Sequence, residues 1–123
     1  RVLPGHAYIA PGGKQFWVEK SGANYVCVVE DGELVNRHRP SVEVLFRSAA
    51  RVAGRNAFGI MLTGMGNDGL EGARLVHQKG GTLLTQGEAS CVVYGMPRSV
   101  VEAGLSDGVF PLELMAQAIM EKV

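Results

Sequence analysis

The feature that most constrains the fold is an abrupt change of pattern between residues 56 and 72. Residues 56–63 form a short apolar run without polar alternation, which is typical of a strand covered on both faces. A helical pattern begins at Leu70, and Gly64, Gly66 and Gly69 lie between the two. Glycine permits the sharp turn that such a change of direction needs. The sequence therefore predicts a strand, a tight loop and a helix in succession.

Asp68 is the only acidic residue of this glycine-rich loop. Ligands of open α/β sheets bind outside the carboxyl ends of the strands, which is where the predicted corner places the Asp68 carboxylate. Two interpretations stay open from spacing alone. One gives Asp68 a chemical role, and the other makes it a cap of the following helix, because Asp is a preferred N-cap residue and suits the helix dipole.

The same loop satisfies the G-x-G-x-x-G pattern of dinucleotide-binding proteins, from Gly64 to Gly69. An isolated match of this kind has little specificity, and an acid inside the loop would repel a pyrophosphate. No Walker lysine follows the glycines. The residues therefore argue against a nucleotide site.

Composition is that of an ordinary globular domain. The 123 residues fit one domain, with 46% hydrophobic and 20% charged residues. Twelve basic and twelve acidic side chains balance, which indicates neither nucleic acid nor an anionic membrane as a partner. No apolar run approaches the ~18 residues of a membrane-spanning helix and no signal peptide is recognisable, so we expect no membrane insertion and a cytoplasmic location. Because the chain opens on Arg1 rather than Met, we also expect a piece of a longer protein.

The remaining pattern predicts an α/β fold. Strands are expected at residues 6–10, 15–20, 25–30 and 82–86, the second and third forming a β-hairpin in the first half. Helices are expected at residues 40–53, 70–79, 97–103 and 112–122. Alternating strands and helices in the second half predict a three-layer, mostly parallel, doubly wound sheet of the Rossmann-like kind. In that sheet residues 58–63 should pair in parallel with residues 82–86.

The segment before the first helix is basic, with His38 between Arg37 and Arg39. Neighbouring positive charge disfavours the imidazolium and leaves His38 as a neutral donor or base. A solvated loop without chemistry is the alternative, and the residues alone favour it. Within the helix, Glu43 and Arg47 lie four residues apart and are expected to pair in water.

A complete hydrolase site is not recognisable in these residues. The nucleophile elbow G-x-S-x-G is absent, and Ser90 lacks the flanking glycines of such a turn. Cys91 has no local signature of a thiol nucleophile, and together with Cys27 it is expected to be a buried small hydrophobe. Asp68 is thus an acid without a visible partner. The acid of a catalytic triad can lie at such a corner while the base and nucleophile come from other strands.

Four motifs resemble the chemotaxis receptor methylesterases, the CheB family. In chain order they are residues 8–12 (YIAPG), 36–42 (NRHRPSV), 62–69 (LTGMGNDG) and 89–97 (ASCVVYGMP). They cover nearly the whole chain, but they resemble only the later part of the family's catalytic domain. The resemblance implies that residues 1–123 belong to one α/β catalytic domain, whose start is absent together with an N-terminal receiver domain.

The resemblance also assigns roles to residues. Asp68 matches the Asp of the family's Ser-His-Asp triad, whereas no histidine of this chain occupies the family's His position and the Ser has no counterpart. The backbone N–H of Met65 is implied to help form the oxyanion hole. The loop that carries Arg37, His38 and Arg39 is implied to border the cleft, where its positive charge should help dock an acidic receptor helix.

The implied reaction is hydrolysis of γ-glutamyl methyl esters on the cytoplasmic helices of bacterial chemoreceptors, with glutamine deamidation as a second activity. A serine would attack the carbonyl and a histidine would take its proton, so that no metal or organic cofactor is required. The implied partners are the methylated receptor helices and a receiver domain of the same parent chain, which a histidine kinase regulates. Alone, the 123 residues are expected to be inactive. The alternative is a non-catalytic half-domain that serves as a binding or structural module.

Overall fold

The pattern change at residues 56–72 folds as a strand, a loop and a helix in a computed structural model that describes residues 1–123. Five strands and four helices follow one another: β1 (Gln15–Ser21), β2 (Asn24–Glu30), α1 (Val42–Ala53), β3 (Phe58–Met61), α2 (Leu70–Gln78), β4 (Thr82–Gln86), α3 (Gly95–Glu102), β5 (Gly108–Phe110) and α4 (Leu112–Lys122). Short 3-10 turns lie at Gly54–Asn56 and Glu88–Ser90. None of the helices combines the length and the apolar character needed to span a bilayer.

The second half forms a parallel sheet in the order β3-β4-β5. Phe58 pairs with Thr82 and Met61 with Thr85, which confirms the predicted parallel pairing of these two strands. β5 pairs with the other edge of β4. With three residues, β5 is too short for an alternation pattern to identify, and the sequence did not predict it.

Helices cover both faces of this sheet. Successive side chains of β4 point to opposite faces, so neighbouring residues of this strand pack against different helices. Leu83 belongs to a core cluster with buried residues of α1, α2 and α3, among them Val76. Its neighbour Leu84 packs on the other face against Met115 of α4. The three-layer α/β arrangement is thereby confirmed.

The first half forms the predicted β-hairpin. β1 and β2 pair antiparallel from Gln15 opposite Glu30 to Ser21 opposite Asn24, joined by a two-residue loop. The hairpin is attached to α1 by the Val18 N–H, which donates to Ser48 Oγ at 3.0 Å.

The strand predicted at residues 6–10 does not form. No backbone hydrogen bond joins these residues to another segment, and Ile9 is 91% exposed. A strand requires a hydrogen-bonded neighbour, which local β-rich composition cannot supply. The prediction of a strand at residues 6–10 was therefore wrong.

α1 begins later than predicted and differs in its surroundings. Ser41 is its N-cap and accepts the Glu43 N–H at 3.1 Å, so that Pro40 precedes the helix instead of lying in its first turn. Glu43 does pair with Arg47, but the Glu43 carboxylate is buried rather than in water.

Cys27 and Cys91 are free thiols and only half-buried, whereas the sequence predicted that both would be buried.

Candidate functional site

Asp68 lies beyond the carboxyl end of β3 and is only 4% exposed. Its Oδ1 accepts hydrogen bonds from Ser41 Oγ at 2.7 Å and from Asn36 Nδ2 at 3.1 Å. Its Oδ2 accepts the Val42 N–H at 2.7 Å. Three donors around one carboxylate fix its orientation.

Asp68 does cap a helix, but the helix is α1 and not the following helix, α2, as expected from the sequence. The N-cap of α2 is Gly69, which has a φ of 92° and makes no side-chain hydrogen bond to the helix. Asp68 instead caps α1, because its Oδ2 receives the first N–H of that helix. Spacing could not reveal this contact, since Asp68 and Val42 are 26 residues apart.

The contact is possible because α1 and α2 approach closely at their N-terminal ends. A Cβ at Gly69 would lie 2.7 Å from Val42 Cγ1, and a Cβ at Gly72 would lie 2.7 Å from Phe46 Cβ. A larger residue at either position would displace the atoms of α1 that it meets. These glycines therefore bring the start of α1 to the loop that carries Asp68.

The Asp68 side of the corner opens into a cavity of about 540 Å³. Its lining includes four of the residues singled out from the sequence: Asp68, Met65, Arg37 and His38. No hydrogen bond joins the His38 ring to Asp68. Arg39 is not part of the lining. Its Nη1 donates to the Gly32 carbonyl at 2.9 Å and so stabilises the loop of residues 36–41.

The loop itself offers unpaired backbone donors. Met65 is 78% exposed, and the N–H groups of residues 65–69 have no acceptor within the protein. Successive free N–H groups on a concave surface form a site that favours negative charge. Met65, whose N–H is free, and Asp68 line the same cavity.

The segment before α3 holds this loop in place. The Gly64 N–H donates to the Val93 carbonyl and the Met96 N–H to the Gly64 carbonyl, each at 2.9 Å. A Cβ at Gly95 would lie 2.9 Å from the Gly66 nitrogen. The motif at residues 89–97 therefore has a structural explanation, because it supports the glycine loop.

The sequence reasoning missed two buried polar residues that organise the corner. Ser41 donates to Asp68, and Gln86 at the end of β4 accepts the Thr63 N–H at 2.8 Å while donating to the Ser90 carbonyl at 2.8 Å. A glutamine at the end of a short β-rich run is a visible signal for the second. Ser before a helix is a visible signal for a cap, but no local signal reveals its donation to Asp68.

The structure also bears on the thiol alternative. Burial raises the pKa of the Cys91 thiol above its ordinary value. A nucleophilic cysteine needs the opposite shift, because the thiolate is the reactive form. Cys91 is therefore unsuited to act as the nucleophile.

Residues 1–119 match the sequence model of the family described as CheB methylesterase. Protein-glutamate methylesterase/protein-glutamine glutaminase 1 of Albidiferax ferrireducens is 62% identical over 123 residues, which are 100% of this chain and 33% of that protein. Protein-glutamate methylesterase/protein-glutamine glutaminase 2 of Chromobacterium violaceum is 56% identical over 119 residues, 97% of this chain and 33% of that protein. The chain thus spans about a third of the length of these curated relatives.

The fold is similar to a solved structure as well. The crystal structure of the Thermotoga maritima CheB methylesterase catalytic domain superimposes with a TM-score of 0.91 at 34% sequence identity. The similarity covers 94% of this chain and 61% of that chain. The corner that carries Asp68 lies within the aligned family match, residues 1–119.

Proposed function

Because the chain belongs to the CheB methylesterase family, we propose that it is part of a hydrolase that acts on glutamyl methyl esters of bacterial chemoreceptors and deamidates their glutamines. The observation that supports this most directly is the buried Asp68 carboxylate, which three donors orient beside a cavity lined by residues with free backbone N–H groups. Such a carboxylate is suited to orient a histidine rather than to bind substrate.

In the proposed reaction a serine hydroxyl attacks the ester carbonyl and a histidine accepts its proton. The histidine then returns the proton to the departing methoxide, so that methanol leaves and an acyl-enzyme remains. Water hydrolyses the acyl-enzyme through the same histidine. We assign the serine and the histidine, together with the rest of the catalytic domain and a receiver domain, to segments outside residues 1–123.

Asp68 has acceptor capacity left for the histidine. Its Oδ1 already receives two hydrogen bonds, whereas its Oδ2 receives only the Val42 N–H. A carboxylate oxygen can accept two, so Oδ2 is the atom to which an imidazole N–H would donate. In that position Asp68 holds the correct tautomer and stabilises the imidazolium that forms.

The Met65 N–H is the proposed donor to the oxyanion. It is free of protein acceptors, and Met65 lines the same cavity as Asp68. A donor fixed in advance toward the developing negative charge typically contributes about 3 kcal/mol of transition-state stabilisation. The bracing of Gly64 by Val93 and Met96 supplies the rigidity that this role needs.

Arg37 is the proposed contact with acidic substrate. It occupies, with Asn36, the centre of a two-residue turn closed by paired hydrogen bonds between Val35 and His38. Both central residues have positive φ, 51° and 68°, a conformation that favours Asn and Gly but not Arg. An arginine in this uncommon backbone conformation on the cavity wall supports a role in binding, with His38 beside it and Arg39 bonded to Gly32.

A chimera tests the proposal, in which residues 1–123 replace the corresponding segment of the Albidiferax ferrireducens relative. We expect the chimera to release methanol from methylated receptor and the isolated 123 residues to release none. A folded chimera without this activity would contradict the esterase proposal and favour a binding or structural module. Activity of the isolated chain would show a nucleophile within residues 1–123.

A further inference from the structure

We propose that Ser41 is a positioning residue of this site, whose hydroxyl holds the Asp68 carboxylate in the orientation that receives an imidazole N–H. The inference rests on the proposed esterase function. It extends that function to a residue that touches neither the substrate nor the reacting atoms.

The direction of the Ser41 hydroxyl proton is determined by its surroundings. Ser41 Oγ accepts the Glu43 N–H at 3.1 Å, as an N-cap residue does. Its own proton therefore points to the other neighbour, Asp68 Oδ1 at 2.7 Å. Ser41 is only 2% exposed, so water competes little for this bond and the hydroxyl proton stays directed at Asp68 Oδ1.

Ser41 is in turn positioned by Gln15, a buried residue of β1. The Ser41 N–H donates to Gln15 Oε1 at 3.0 Å. The Gln15 amide donates to the carbonyls of Glu33 and His38, at 2.8 and 3.0 Å. A chain of buried hydrogen bonds thus runs from β1 through Ser41 to Asp68, and it fixes the serine on a rigid part of the fold.

Loss of the hydroxyl should have two chemical effects on the site. The carboxylate loses a donor on Oδ1 and gains freedom to rotate away from the imidazole, which lowers the turnover number. Its negative charge is also less compensated, so a histidine bonded to Oδ2 becomes more basic. The acid limb of the pH profile of kcat/KM should then move to higher pH.

A purely structural role must be separated from this one, because Ser41 also caps α1. Gly is an N-cap nearly as favourable as Ser, and it lacks the hydroxyl. Thr keeps both the cap and the hydroxyl, and Ala keeps neither. The variants Ser41→Gly, Ser41→Thr and Ser41→Ala therefore distinguish the donation to Asp68 from the capping of α1.

The experiment measures kcat, KM and urea midpoints of the three variants in the chimera, from about pH 5 to about pH 9. We expect Ser41→Gly and Ser41→Ala to lower kcat about tenfold, with KM unchanged and the acid limb moved to higher pH. Ser41→Thr should behave like the unsubstituted chimera. Both Ser41→Gly and Ser41→Ala should unfold at lower urea than the unsubstituted chimera, because both lose the buried hydrogen bond to Asp68. Ser41→Ala should have the lower midpoint of the two, because it also loses the cap of α1.

A double substitution adds an independent check. If Ser41 acts through Asp68, adding Ser41→Gly to Asp68→Asn should change kcat by less than about twofold. Full activity and an unmoved acid limb in Ser41→Gly would overturn the inference, as would equal losses in Ser41→Gly and Ser41→Thr. Absence of ester hydrolysis in the unsubstituted chimera would instead reject the proposed function, and the inference with it.

Discussion

Asp68 and Glu43 cap each other's helices across the α1–α2 contact. Asp68 Oδ2 accepts the Val42 N–H at the start of α1, and Glu43 Oε1 accepts the Gly72 N–H in the first turn of α2 at 2.9 Å. The two carboxylates thus join the helix ends that meet at the candidate site. Of the two, Glu43 has only a structural role at this site, because it does not line the cavity that Asp68 lines.

Substitution of Glu43 should therefore affect stability more than chemistry. Glu43→Gln would turn an amide donor toward either Arg47 or the Gly72 N–H, and we expect a loss of about 2 to 3 kcal/mol in the free energy of unfolding. Urea denaturation of the purified protein measures it. Glu102 is the matched control, because it pairs with Arg98 at the same spacing but is exposed, and Glu102→Gln should leave the urea midpoint nearly unchanged. Equal costs would contradict the structural role of the buried pair.

Asp68→Asn should abolish most of the proposed activity. An asparagine cannot stabilise an imidazolium and favours the wrong tautomer, so turnover of the chimera should fall by roughly 10³- to 10⁴-fold. Stability should also fall, by about 1 to 2 kcal/mol, since the new amide would face the Asn36 amide or the Val42 N–H.

The control for Asp68→Asn is the same change at Asp107, whose Oδ2 accepts the Leu83 N–H at 2.8 Å outside the cavity. Asp107→Asn should leave turnover unchanged, as followed by methanol release. Normal turnover in Asp68→Asn would remove Asp68 from the triad and leave it as a cap of α1.

Arg37→Gly should change stability and substrate binding in opposite directions. Glycine relieves the positive φ of 68°, and we expect a gain of a few tenths to about 1 kcal/mol in the free energy of unfolding. Loss of the cation should raise KM for methylated receptor several-fold while kcat stays nearly constant. Arg55→Ala is the control, because Arg55 is exposed and lies outside the cavity, and its KM should not change. An unchanged KM in Arg37→Gly would contradict the docking role and favour the alternative, a solvated loop without a chemical role.

Local patterns predicted the parts of the fold that depend on local information. The parallel pairing of β3 with β4 followed from a short apolar run, a glycine loop and a helical period, each readable within a few residues. The strand at residues 6–10 was wrong because strand formation depends on a neighbour elsewhere in space. The same reason hid the environment of Asp68, since Ser41 and Val42 reach it from 27 and 26 residues away. Its position beyond β3 was predictable, and its donors were not.

Gly95 tests whether the rigidity of the glycine loop matters for turnover. A Cβ at this position would lie 2.9 Å from the Gly66 nitrogen and 3.0 Å from the Gly66 oxygen, and backbone atoms cannot yield as a flexible side chain can. Gly95→Ala should therefore displace the loop that carries the Met65 N–H. We expect kcat to fall at least about tenfold with little change in KM, because a misplaced oxyanion donor is felt in the transition state.

The matched control for Gly95→Ala is Gly87→Ala at the end of β4. There the nearest atom to an added Cβ is Val109 Cγ1 at 3.6 Å, an ordinary contact, and the φ of −68° suits alanine. Gly87→Ala should keep both kcat and the urea midpoint, whereas Gly95→Ala should lose about 1 to 3 kcal/mol of stability through crowding. Wild-type turnover in a Gly95→Ala chimera would mean that the loop tolerates displacement, and Met65 would then be a poor choice for the oxyanion donor.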